Sequence, residues 1–158
     1  MTSHVVIALN ASEHSAYAME WSIKNLLHAG THKVTLLSVV EPPIQAGYYY
    51  AASAAMYSPA FIDEVYKKAQ DDATRLVRDF QATLERAFDN KIECEMVVGR
   101  GETRDEIVDY VESVKADLLI LGSRDLSTLK RTFIGSTSDY CVHHCHCPVL
   151  IVKGPRQN

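Results

Sequence analysis

Short runs of consecutive apolar residues alternate along this chain with longer stretches in which apolar positions recur every three or four residues. Residues 5–9, Val-Val-Ile-Ala-Leu, are apolar without a break, as in a strand covered on both faces. Ser12, Glu13, His14 and Ser15 then offer helix-start residues. Ala16, Met19, Ile23, Leu26 and Leu27 follow at helical spacing, and Gly30 marks a stop. A second strand is predicted over 34–40, ended by Pro42 and Pro43. Ser58 and Pro59 resemble an N-cap with proline in the first turn, and Val65, Ala69, Leu76, Phe80 and Leu84 mark the apolar face of a long helix closed by Asp89 and Asn90. Residues 92–98 alternate as a strand near a sheet edge does, and Gly99-Arg100-Gly101 reads as a tight turn. Thr103 with Glu106 fits a capping box ahead of a helix carrying Ile107, Val108, Val111 and Val114. A fourth strand is predicted over 118–121, a short helix from Ser136 to about His144, and a fifth strand over 148–153. Strands alternating with helices imply βαβ units, and so a parallel sheet with helices on both faces.

The stretch 42–57 has no clear period. It reads as a loop or mobile flap in which Tyr48, Tyr49 and Tyr50 either lie on the surface or fold over a crevice and stack on a base.

Composition narrows the class. With 158 residues, 47% of them hydrophobic, the chain suits one domain with one core, over 1–158. The formal charge is −4, and the basic residues cluster only at Arg124, Lys130 and Arg131, so no positive stripe for nucleic acid is present. No apolar run approaches the roughly 20 residues of a membrane span. The N-terminus has no charged-then-apolar leader, and a cytoplasmic protein is expected. Cys94, Cys141, Cys145 and Cys147 are few for a disulfide scaffold, which fits reduced thiols. The run Cys141-Val142-His143-His144-Cys145-His146-Cys147 has metal-like spacing but no second ligand pair elsewhere. It reads as a helix end and turn, with histidines favourable near the helix C-terminus. No serine, histidine and carboxylate form an evident catalytic set, so no catalytic residue is expected.

The strongest chemical signal is Leu118-Leu119-Ile120-Leu121-Gly122-Ser123-Arg124, followed by Gly135-Ser136-Thr137-Ser138. A strand ending in glycine, a basic loop, and glycine with three hydroxyls at a helix start bring N–H groups, hydroxyls and positive charge to one place, as a phosphate requires. Asn10, Val39, Gly99 and Gly122 all fall at strand ends on the same edge, where open α/β sheets bind ligands.

These residues are similar to the universal stress protein family over nearly the whole chain. The family's fingerprint is a glycine, two residues, a second glycine, nine residues, then glycine with serine or threonine. Here it reads Gly122-Ser123-Arg124-Asp125, nine residues, Gly135-Ser136, with Asp125 in place of the second glycine. Residues 8–12 (Ala-Leu-Asn-Ala-Ser), 36–39 (Leu-Leu-Ser-Val) and 147–152 (Cys-Pro-Val-Leu-Ile-Val) carry further family marks.

The resemblance implies a Rossmann-like open five-stranded parallel sheet in the order 3-2-1-4-5. It implies an adenine nucleotide (ATP, ADP or AMP, with or without Mg²⁺) in the crevice. Ala8, Leu9 and Asn10 would then lie along adenine and ribose, Val39 would wall the base, and Leu121 and Gly122 would approach the ribose. Arg124 would sit by the phosphates, which Gly135, Ser136, Thr137 and Ser138 would receive. Asn10 stands where the family usually has aspartate, and Asp125 places a carboxylate near the phosphates. A homodimer through the terminal strand, Pro148 through Lys153, is expected, with an unknown protein partner reading the nucleotide state. The alternatives are a dimeric interaction module with an empty crevice, or a slow ATP hydrolase.

Overall fold

The computed structural model describes residues 2–42, 59–123 and 135–154. The expected flap at 42–57 lies outside them from residue 43 onward, as do Ser58, Arg124, Asp125, Lys130 and Arg131.

Among the described residues, nine elements follow in the predicted alternation: β1 (Ser3–Ala8), α1 (Glu13–Asn25), β2 (His32–Val40), α2 (Pro59–Ala87), β3 (Glu93–Arg100), α3 (Thr103–Ser113), β4 (Leu118–Ser123), α4 (Ser136–His144) and β5 (Val149–Lys153). The strands form one parallel sheet in the order β3-β2-β1-β4-β5.

The unbroken apolar runs are explained by two-sided burial. Val5, Ile7 and Leu9 face a core shared with Ala18 and Met19 of α1 and Val77 and Leu84 of α2. Val6 and Ala8 face the opposite core, with Ile107 and Val111 of α3 and Cys141 of α4. Period-2 side chains on a strand covered by helices on both sides put successive residues into one core or the other, which favours apolar residues at every position. β3, at the sheet edge, alternates only over Glu93, Cys94 and Glu95; Met96 is exposed and Val97 and Val98 are both half-buried. Asp117 ties β4 to β1 at the other end: its N–H donates to His4 O at 2.8 Å, and its Oδ2 accepts from the His4 N–H at 2.7 Å.

The structure moves several local boundaries. Gly30 does not stop α1; the helix ends at Asn25 with Leu26 as its cap, and Gly30 (φ 83°) turns the chain into β2. The buried face of α1 is Ser15, Ala18, Met19 and Ser22, whereas Ala16 is exposed. Serines are tolerated there because Ser22 Oγ donates to Ala18 O at 2.7 Å, which leaves no orphaned hydroxyl. On α2 the core stripe runs through Tyr66, Val77 and Leu84, and Val65 points outward. Asp89 and Asn90 both take positive φ just past α2, as short polar residues can.

At the start of α3 the expected capping box does not form. Glu102 is the N-cap and accepts from the Asp105 N–H at 3.2 Å. Thr103 donates both its N–H (3.2 Å) and its hydroxyl (2.7 Å) to Glu41, just past β2. The competing acceptor came from a neighbouring strand end, which local spacing does not reveal. Gly99 and Arg100 are strand, paired with Val39 and Val40, so the turn begins only at Gly101.

Candidate functional site

The carboxyl ends of β2, β1 and β4 lie side by side in that order. The Leu9 N–H donates to Leu37 O at 2.8 Å, so the ladder continues past β1 and brings Asn10 level with Val39. Ala8 and Leu9 are buried, Val39 is half-buried, and Asn10 is exposed. On the other side Leu121 is buried opposite Ala8, and Gly122 is half-buried. The edge thus offers an apolar floor with one exposed amide in its middle.

The first turn of α1 presses against this edge. A Cβ on Gly122 would meet His14 O at 2.4 Å and His14 C at 2.7 Å, both backbone atoms, so only glycine fits. The sequence marked Gly122 as a strand end, where it is a turn or a point of ligand approach; the structure adds close helix–strand packing. Ser15, one residue on, is buried and holds Asn10 from both sides. Its Oγ accepts from the Asn10 N–H at 2.9 Å and donates to Asn10 Oδ1 at 2.9 Å. Ser15 was read only as a helix-start residue, and its distance of five from Asn10 carries no recognisable pattern.

Three helix N-termini with described caps can be compared. At α1, Ser12 Oγ accepts from the Ser15 N–H at 3.3 Å. At α3, the carboxylates of Glu102 and Glu41 take N–H groups of the first turn. At α4 the N-cap is Gly135 (φ −54°, ψ 153°), with no side-chain hydrogen bond. Gly135 and Ser136 are exposed, Thr137 is half-buried and Ser138 is buried. The first N–H groups of a helix have no partner inside it, and they carry the positive end of its dipole. Because α4 runs within four residues into the start of β5, its C-terminus lies at the amino edge of the sheet. Its N-terminus therefore lies at the same edge as Asn10, Val39 and Gly122.

The cysteine and histidine run separates into a core side and a solvent side. Cys141 is fully buried, and burial, with the Cys145 thiol beside it, pushes its pKa up to about 12. Burial likewise raises Cys145 and Cys147, and it brings Cys94 to about 11 with help from the Glu85 and Glu95 carboxylates. Such thiols stay protonated at neutral pH and act as small apolar groups. His143, His144 and His146 are exposed, and His144 stacks on Tyr140 with ring centroids 3.8 Å apart. Among the described residues no three His, Cys, Asp or Glu side chains are grouped to hold a metal ion.

Ten of the eleven residues singled out from the sequence (Ala8, Leu9, Asn10, Val39, Leu121, Gly122, Gly135, Ser136, Thr137 and Ser138) are described, and Arg124 is not. No described helix is long and apolar enough to cross a membrane.

The universal stress protein family model matches residues 1–153. Among curated proteins, the chain is 24% identical to a universal stress protein A-like protein of Arabidopsis thaliana, covering 94% of this chain and 89% of that one. Among solved structures, it resembles a universal stress protein family protein from Arabidopsis thaliana with AMP bound (24% identity, TM-score 0.69, 97% of this chain and 92% of the other). It also resembles a universal stress protein in complex with cAMP (18% identity, TM-score 0.64, 98% of both chains). The parallel sheet in the order 3-2-1-4-5 is the fold of these neighbours, and with the match over almost all its length this chain belongs to the universal stress protein family.

Proposed function

We propose that this chain is a single-domain protein that binds an adenine nucleotide, ATP, ADP or AMP, at the carboxyl edge of its sheet and serves as a dimeric nucleotide-responsive switch in a stress response. The observation that carries the reading is the exposed N-terminus of α4, which no described side chain caps, at the same sheet edge as an apolar strand-end floor. Two fold neighbours hold AMP and cAMP, which supports an adenine nucleotide as the ligand class.

In this reading the base lies against Val39 and the ribose over Asn10 and Gly122. The phosphates meet the N–H groups at the start of α4, with the Ser136 and Thr137 hydroxyls as further donors. Arg124 adds positive charge from the connecting segment, and Mg²⁺ accompanies the longer phosphate chains. Asp125 favours ligands with fewer phosphates, since it brings a like charge toward them. The switch works by occupancy: bound nucleotide orders the surface around Gly122 and Gly135, and a protein partner recognises that surface.

The dimer forms through β5. This strand is at the sheet edge, and Val149, Leu150 and Ile151 are only half-buried, so both its backbone edge and its apolar side chains are available to a second copy.

Titration calorimetry with ATP, ADP and AMP, with and without Mg²⁺, tests the reading. The expected result is saturable binding of one nucleotide per chain, with the protein sedimenting as a dimer throughout. Absence of heat for all three nucleotides, with no thermal shift, contradicts nucleotide binding and favours a module whose crevice stays empty. Release of ADP from ATP that depends on Mg²⁺ favours a slow hydrolase.

A further inference from the structure

The middle of the crevice holds a group whose chemistry the structure settles in one respect. Ser15 has a single hydroxyl proton. Its oxygen already accepts the Asn10 N–H, and the proton goes to Asn10 Oδ1. Asn10 therefore has its acceptor committed inward. Its Nδ2, which carries two N–H donors, has no acceptor among the described residues, and the residue is exposed.

The strand order places this amide relative to a ligand. Neighbouring strands lie about 4.8 Å apart, so β2 and β4 flank β1 across about 10 Å, the scale of a nucleoside monophosphate. With the base at Val39 on β2 and the 5′-phosphate at the start of α4, the helix that connects β4 to β5, the ribose falls at the end of β1. This step rests on the nucleotide reading above.

We propose that Asn10, oriented by Ser15, sets the ribose tolerance of the site, which accepts an adenine nucleotide whose ribose hydroxyl is esterified with phosphate as well as one with a free ribose diol. A carboxylate at a strand end accepts hydrogen bonds from a free ribose diol and repels a phosphate ester there; dinucleotide-binding folds use the same contrast to separate free from phosphorylated riboses. Asn10 carries no charge and offers donors, which suit ester oxygens. Glu41, the carboxylate just past the end of β2, is tied to the start of α3, where its Oε1 accepts from both the N–H and the hydroxyl of Thr103.

The test is calorimetric titration with two probes differing only by a ribose phosphate, AMP and adenosine 3′,5′-bisphosphate. The wild-type protein is expected to bind both with affinities within about threefold. Asn10→Asp is expected to weaken the bisphosphate at least about tenfold relative to AMP, whatever its effect on AMP itself. Ser15→Ala, which frees the amide to rotate, is expected to weaken the bisphosphate more than AMP, and it stands in if Asn10→Asp does not fold. The proposal is overturned if the wild-type protein binds AMP and disfavours the bisphosphate by more than about threefold, or if a folded Asn10→Asp variant leaves the ratio unchanged. If neither probe binds the wild-type protein, the nucleotide reading falls together with this one. That outcome is distinct from failure of the ribose tolerance alone.

Discussion

Gly122→Ala is expected to destabilise the protein by about 1–3 kcal/mol, toward the upper end of that range. The added Cβ would stand 2.4 Å from His14 O and 2.7 Å from His14 C. Both are backbone atoms in the first turn of α1, which no rotamer change can move. The helix start must shift away from β4, and Ser15 and its two hydrogen bonds to Asn10 shift with it. For a domain of this size, each kcal/mol corresponds to a fall in melting temperature of about 2–4 °C. Thermal or urea unfolding reads the effect directly. An unchanged midpoint would contradict the packing role assigned to Gly122, leaving only its place beside a ligand.

Gly135→Asp should separate binding from stability. A Cβ at Gly135 meets nothing within 4 Å among the described residues, and its φ of −54° suits any residue, so none of them opposes the substitution sterically. Aspartate is a better N-cap than glycine by a few tenths of a kcal/mol, and its charge complements the helix dipole. The melting temperature is therefore expected to hold or rise slightly. The same carboxylate occupies the N–H groups that a phosphate would use, as Glu41 and Glu102 do at α3. Like charges near 4 Å oppose each other by about 1–4 kcal/mol, so AMP affinity is expected to fall about tenfold or more. Unchanged AMP affinity in a folded variant would move the phosphates away from α4.

The architecture was legible because residues 5–9 and 118–121 are apolar without interruption, which only a strand covered on both faces tolerates. The α1 face was not legible. Its buried stripe includes Ser15 and Ser22, whose hydroxyls are satisfied by Asn10 and the Ala18 carbonyl, and a hydrophobicity pattern does not register such residues. The cap of α3 was misassigned for a related reason: Glu41 lies 62 residues from Thr103 along the chain, beyond any local motif. At the crevice, sequence spacing marked the strand ends and the glycines correctly as neighbours on one edge. It did not reveal that Gly122 accommodates the backbone of α1, or that Ser15 commits the Asn10 carbonyl oxygen inward. Those facts depend on contacts between elements.

The central claim is that the open N-terminus of α4 receives the phosphate of an adenine nucleotide whose base lies at the end of β2. Titrating ¹⁵N-labelled protein with AMP and following its backbone amide signals tests this most directly. The account predicts saturable shifts at the amides of Ser136, Thr137 and Ser138, with Val39 and Asn10 responding at the same midpoint. Shifts confined to other parts of the chain, or none at saturating AMP, would contradict it.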